Sequence, residues 1–168
     1  MLWIIGGWGN RPDSLESAVG RLQRSLSRIP DESGKYGPWG YWQRRQARAG
    51  FIDRPQPHNH IAFNVDDDTD DSAVMGYMSA LVEVWRPDHL GALTMRTWRA
   101  QGRKAPGPVV GRLTYVRDGT PLNANALGGE VDVAEAAGGR YIRVPGTPTD
   151  LSLEHIRQVR KALGYADV

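Results

Sequence analysis

The sequence contains no cysteine, which excludes disulfides, thiol nucleophiles and cysteine metal sites. Lysine is scarce: among 21 basic residues only Lys35, Lys104 and Lys161 are lysine, and the rest are arginine, the side chain suited to planar, hydrogen-bonded ion pairing. An excess of one charge sign is also missing, since 21 basic residues face 19 acidic ones. Without cysteine little titrates near neutrality, so this small excess is enough to make the isoelectric point alkaline, and the balance does not argue for nucleic-acid binding. No apolar run approaches a membrane span. The longest, residues 73–85, is interrupted by Ser79 and Glu83 and is far shorter than the 20 or so residues a span requires. The first apolar run is too short for a secretory signal and has neither a charged flank nor a small-residue cleavage site, so a cytoplasmic location is expected.

At 168 residues the chain has the length of one domain with a real core. Leu2 to Ile5 is wholly apolar and reads as a buried strand broken by Gly6, Gly7 and Gly9. Asp13 or Ser14 then caps a helix whose apolar stripe is Leu15, Val19, Leu22, Leu26 and Ile29, with arginines on the opposite face. Pro38 opens a second, shorter helix that Gly50 stops. Residues 60–65, 73–85, 92–98 and 109–117 read as strands, Val131 with Val133 as a short strand with both valines inward, and 140–144 as another. Asp150 or Ser152 caps a last helix with a buried stripe of Leu153, Ile156, Val159 and Leu163, ended by Gly164. Helices at both ends of a run of strands joined by short turns predict an α+β fold. The expected architecture is a mainly antiparallel sheet of about five to six strands with the N-terminal and C-terminal helices packed on it.

Few stretches carry the pattern of a chemical site. Asp66-Asp67-Asp68-Thr69-Asp70-Asp71 places aspartates at alternating positions, as a calcium loop does. The glycine and glutamate required at its sixth and twelfth positions are replaced by Asp71 and Tyr77, which excludes an EF-hand. The run is then a solvated loop between strands, a looser metal site, or an acidic patch that docks a basic partner. Glu130, Asp132 and Glu135 could gather carboxylates for acid–base or metal chemistry, with Glu130 and Asp132 on one strand face, or form the wet face of a short strand. The helix from Trp39 to Arg48 interleaves Trp39 and Trp42 with Arg44, Arg45 and Arg48. That interleaving serves single-stranded nucleic-acid binding, while three-residue aromatic spacing serves core packing, the preferred assignment. No Walker loop, nucleophile elbow or His-Glu-x-x-His occurs. Gly6-Gly7-Trp8-Gly9 lacks the spacing of a phosphate loop. Ser33, Gly102 and Val159, two positions before the three lysines, exclude the acidic-x-Lys motif of restriction-type nucleases. No catalytic residue, metal ligand or cofactor is therefore assigned.

The strand ending in Gly7-Trp8-Gly9, followed by Arg11-Pro12 and the helix opening Ser14-Leu15-Glu16, resembles the N-terminus of the immunity protein 52 family. Val84-Trp85-Arg86-Pro87-Asp88 is similar to that family's strand-ending Trp-x-Pro-Asp element. Pro108 to Val116 is similar to its Val-Gly-Trp-Leu-Thr-Tyr segment, with Arg112 where tryptophan is common, and Gly138 to Val144 with the last helix resembles its closing strand and helix. The resemblance covers nearly the whole chain and implies a single immunity-protein-like domain over residues 1–168. By that resemblance the chain is not an enzyme. It would bind and neutralise a cognate toxin, in this family usually a restriction-endonuclease-fold nuclease delivered between bacteria by secretion systems such as type VI. Residues 34–59 and the aspartate run have no family counterpart, so partner-specific contacts are expected there: Asp66, Asp67, Asp68, Asp70 and Asp71 as the electrostatic contribution, and Trp39, Tyr41 and Trp42 as aromatic anchors. Trp8, Trp85 and Tyr115 are assigned to the core. The alternative function is a small nucleic-acid-binding module using the Trp39–Arg48 helix. A second rival is an enzyme whose acids are Glu130, Asp132 and Glu135.

Overall fold

The structure is a computed structural model that describes residues 2–8, 36–45, 57–65, 69–102, 108–147 and 150–165; in the first three segments Ile4 is the one residue whose side chain is described. The N-terminal helix expected from Leu15 to Ile29 lies outside the described residues. The fold is α+β. Its main sheet has seven strands in the order β2-β3-β1-β4-β5-β7-β6, and every neighbouring pair is antiparallel. The strands are β1 (Leu2–Trp8), β2 (Tyr36–Arg45), β3 (Pro57–Val65), β4 (His89–Thr94), β5 (Leu113–Arg117), β6 (Asp132–Ala136) and β7 (Gly139–Arg143). A separate two-stranded ribbon pairs β8 (Gly146–Thr147) with β9 (Asp150–Leu151).

Helix α1 (Asp71–Trp85) occupies the segment expected to be the longest strand. The strand expectation came from residue type, since Val82, Val84 and Trp85 are strand-favouring. Buried Val74, Tyr77, Met78, Leu81 and Trp85 instead recur at three- and four-residue steps, the signature of a helix face, with Ala80, Val82 and Val84 buried beside them. The aspartate run is thus not a loop between strands. Asp70 caps the helix by accepting a hydrogen bond from the Ala73 amide at 2.8 Å. At the other end Arg86 takes a left-handed conformation, with φ 45°, and its amide donates to the Val82 carbonyl at 2.9 Å; Pro87 then prevents continuation.

Three other segments depart from expectation. The second helix is strand β2, because Gly37 and Gly40 weaken a helix while the dense aromatics favour a pleated surface. β1 runs through Gly6 and Gly7, whose backbones pair with Ile61 and His60 on one side and Leu90 and His89 on the other. The strand expected over 92–98 stops at Thr94, whose hydroxyl accepts from the Thr97 amide at 3.2 Å and starts the short helix α2 (Met95–Ala100).

Among the described residues, one helix packs on each face of the sheet. On one face Ile4, Leu90, Ala92, Leu113, Tyr115 and Tyr141 pack against the buried stripe of α1. On the other, Val116, Ile142, Val131 and Val144 pack against Ile156, Val159 and Leu163 of α3 (Leu153–Ala162) and the residues that follow it. The Tyr115 and Tyr141 rings, direct register partners, meet with centroids 5.0 Å apart. Gly139 makes room for them, since a Cβ there would fall 2.5 Å from the Tyr115 ring. Two expected core positions are outside: Val133 is 41% exposed and Leu153 44%. Val133 lies on the edge strand β6, all of whose residues are exposed. Leu153 is the first residue of its helix, where no further turn covers it. Trp85 and Tyr115 are buried as expected.

Candidate interaction surface

Of the five aspartates expected to meet a partner, Asp66, Asp67 and Asp68 lie outside the described residues. The remaining two have work inside the fold. Asp70 is the α1 cap, and Asp71 forms an ion pair with Arg112 at 2.7 Å, between side chains 33% and 14% exposed. Arg112 also donates to the Val144 carbonyl, so one guanidinium ties the start of α1 to the start of β5 and the end of β7. The Arg143 guanidinium is held above its ordinary value mainly by its hydrogen bond to Asp132, then by that carboxylate's charge, with Asp71 adding a smaller attraction. The acidic run is therefore divided: of its last two carboxylates, Asp70 caps the helix and Asp71 faces Arg112.

Trp39, Tyr41 and Trp42 are on β2, an edge strand, rather than on a helix. Their backbone partners are Phe63, Ile61 and His60. Asp66 directly follows Val65, the register partner of Tyr36, so Trp39 lies nearest the aspartate end of the sheet and Trp42 furthest from it. The aromatic–arginine helix on which the nucleic-acid reading rested is absent from residues 36–45.

The three acids of the enzyme reading do not converge. Glu130 sits in the turn before β6 rather than on the strand face it was expected to share with Asp132, and it meets His155 at 3.3 Å. Asp132 meets Arg143 at 2.5 Å, and Glu135 is the register partner of Arg140. Among the described residues no group of three or more histidine, aspartate or glutamate side chains is placed to hold a metal ion, and no helix is long and apolar enough to cross a membrane.

Sequence reasoning missed a groove of about 560 Å³ where the end of α1 meets β5 and the β6–β7 turn, lined by Val82, Glu83, Arg86, Tyr115, Arg117, Ala137 and Gly138. The Tyr115 hydroxyl donates to the Ala137 and Gly138 carbonyls at 3.3 and 3.2 Å, fixing the turn against the sheet. Arg117 pairs with Asp88 at 3.0 Å. The one available signal was Arg86 itself, an arginine in the position before proline where a helix commonly ends on glycine.

No protein-family model matches the chain, and no curated protein matches it by sequence. Its structure is similar to that of a Pseudomonas aeruginosa protein described as a T6SS (type VI secretion system) protein, with a TM-score of 0.53 and 10% identity over 97% of this chain and 72% of the other. At that identity the likeness is one of fold.

Proposed function

We propose that this chain is an immunity protein that binds a cognate bacterial toxin in the cytoplasm and blocks it by occupying its surface, with no turnover or cofactor of its own. The observation that carries the reading is the similarity of fold, over 97% of the chain, to a protein described as a T6SS protein. It coincides with the in-order resemblance of four segments to the immunity protein 52 family. Two of the three acids of the enzyme reading are engaged within the fold, Glu130 by His155 and Asp132 by Arg143. Following that family, the toxin is a restriction-endonuclease-fold nuclease, whose basic cleft is the natural counterpart of Asp66, Asp67 and Asp68. Acid-for-base complementarity speeds encounter, and nuclease–inhibitor pairs reach the tight end of known affinities.

The test is co-purification with the polypeptide encoded beside this chain's gene, followed by titration of its nuclease activity. Stoichiometric inhibition that weakens with added salt is expected. Replacing Asp66, Asp67 and Asp68 together by asparagine is expected to slow association and weaken inhibition. Asp70→Ala is expected to lower stability by about 1 kcal/mol through the lost cap, with little effect on inhibition. Absence of both complex and inhibition would refute the immunity reading. Unchanged inhibition by the triple variant would refute the electrostatic role of the aspartates.

A further inference from the structure

We infer that the groove at the end of α1 is a second docking site for the toxin, receiving an apolar side chain flanked by a carboxylate. The inference rests on the immunity reading above and adds a contact that the aspartate run does not supply. Two observations converge on this groove. The first is backbone conformation. The described residues other than glycine with positive φ are Arg86 at 45° and Ala137 at 52°, and both line it. A left-handed conformation brings Cβ too close to the following carbonyl, a cost glycine does not carry. Glycine would therefore be the cheaper residue at a helix end and in a two-residue hairpin turn. Non-glycine residues held in this region cluster at active sites, ligand clamps and switch regions.

The second is charge. The lining has two guanidiniums and one carboxylate, Glu83. Arg117 is engaged by Asp88. Arg86 is exposed and makes no ion pair or side-chain hydrogen bond among the described residues. Its planar fork of N–H donors is matched by a carboxylate. Val82 and the Tyr115 ring, both buried, give the groove an apolar floor. An apolar or aromatic toxin side chain on that floor, with a neighbouring aspartate or glutamate on Arg86, satisfies both halves of the lining.

Arg86→Gly separates the two roles of this position. The variant relieves the left-handed backbone while removing the guanidinium, so its thermal midpoint is expected to equal or exceed that of the parent while its affinity for the adjacent-gene polypeptide falls at least tenfold. Glu83→Gln, which removes the one carboxylate of the lining, is expected to leave affinity unchanged or improve it. Unchanged affinity of Arg86→Gly in a folded protein overturns the inference, as does a loss of affinity confined to Glu83→Gln. A lowered thermal midpoint for Arg86→Gly overturns the argument from backbone conformation. If the parent chain itself forms no complex, the immunity reading fails first and the groove site falls with it, an outcome distinct from a parent that binds and a variant that binds equally well.

Discussion

Gly111→Ala tests how the sheet is assembled between β4 and β5. A Cβ at Gly111 would lie 2.0 Å from the carbonyl oxygen of Ala92, 2.5 Å from its carbonyl carbon and 3.0 Å from its nitrogen. All three atoms are backbone, so no side chain can swing away. Ordinary carbon–oxygen contact begins at about 3.5 Å, so the two segments must separate by roughly 1.5 Å. Ala92 is held between Ile4 and Leu113 in the ladder, and the Arg112 amide donates to that same Ala92 carbonyl at 2.8 Å; separation breaks this bond. Overpacking costs about 1–3 kcal/mol and the lost hydrogen bond about 1 kcal/mol more, so a destabilisation of about 3 kcal/mol is expected. For a chain of this size that corresponds to a fall in thermal midpoint of roughly 6–12 °C. Urea denaturation measures it directly, as a lower midpoint concentration at unchanged slope. Gly76→Ala provides the opposite sign: Gly76 is inside α1 with nothing within 4 Å of the added methyl, so alanine should stabilise by up to about 1 kcal/mol. A cost below about 1 kcal/mol for Gly111→Ala would show that the crossing of these segments is not as tight as described.

Three further outcomes follow from the same geometry. Gln101 is buried, its amide nitrogen donating to the Val110 carbonyl at 2.7 Å and its oxygen accepting from the Val110 amide at 3.0 Å; Gln101→Ala strands both groups and should cost about 2–4 kcal/mol in urea denaturation. Burial raises the Tyr141 hydroxyl above the ordinary tyrosine value, the nearby Ser79 side chain partly opposing it. The folded chain therefore keeps a proton that the unfolded chain releases near pH 10, so stability is complete below about pH 10 and falls as pH rises further, and Tyr141→Phe should make that alkaline decline shallower. Losses in toxin affinity from the Asp66–Asp67–Asp68 triple variant and from Arg86→Gly should add within about 0.5 kcal/mol in calorimetric titration, as expected for sites without shared contacts.

The parts of the fold legible in the sequence are those where local pattern and tertiary demand agree. The α3 stripe at Ile156, Val159 and Leu163, the stop at Gly164, the turn at Asp118-Gly119 and the strands about Leu113 to Arg117 and Arg140 to Val144 follow from period and turn chemistry alone. α1 was legible too, in the spacing of Val74, Tyr77, Met78 and Leu81 and in the Asp70 cap. It was misread because β-branched and aromatic residue types outweighed period. Residues 36–45 fail for the converse reason: three-residue spacing of Trp39 and Trp42 imitates a helix, while pairing of that segment with β3 decides its state. The sheet order, with β1 inserted between β3 and β4, depends on contacts between distant segments that no local window contains. The same holds for the candidate surface. Nothing in the run of aspartates says that its last two members cap and tether a helix, and nothing in Trp-Arg-Pro-Asp says that Arg86 overlooks a groove built partly by a turn some fifty residues later.

The two candidate contact regions stand at opposite ends of one rigid element. The aspartate run leads into the first turn of α1, and Arg86 follows its last residue. Fifteen residues at 1.5 Å each place these ends about 22 Å apart. A standard protein interface covers about 800 Å² on each partner, a patch roughly 30 Å across, which is wider than the length of this helix. The helix between them is fixed by its apolar face on the sheet and by the Asp71–Arg112 tie to β5, so the spacing is set before the partner arrives. Such preorganisation lowers the ordering cost of association. It also assigns the divided acidic run a physical logic. The carboxylates nearest the helix hold its end in place, and Asp66, Asp67 and Asp68 are the ones the proposed role assigns to the partner. Rigid placement and electrostatic attraction come from one short stretch without competing for the same side chains.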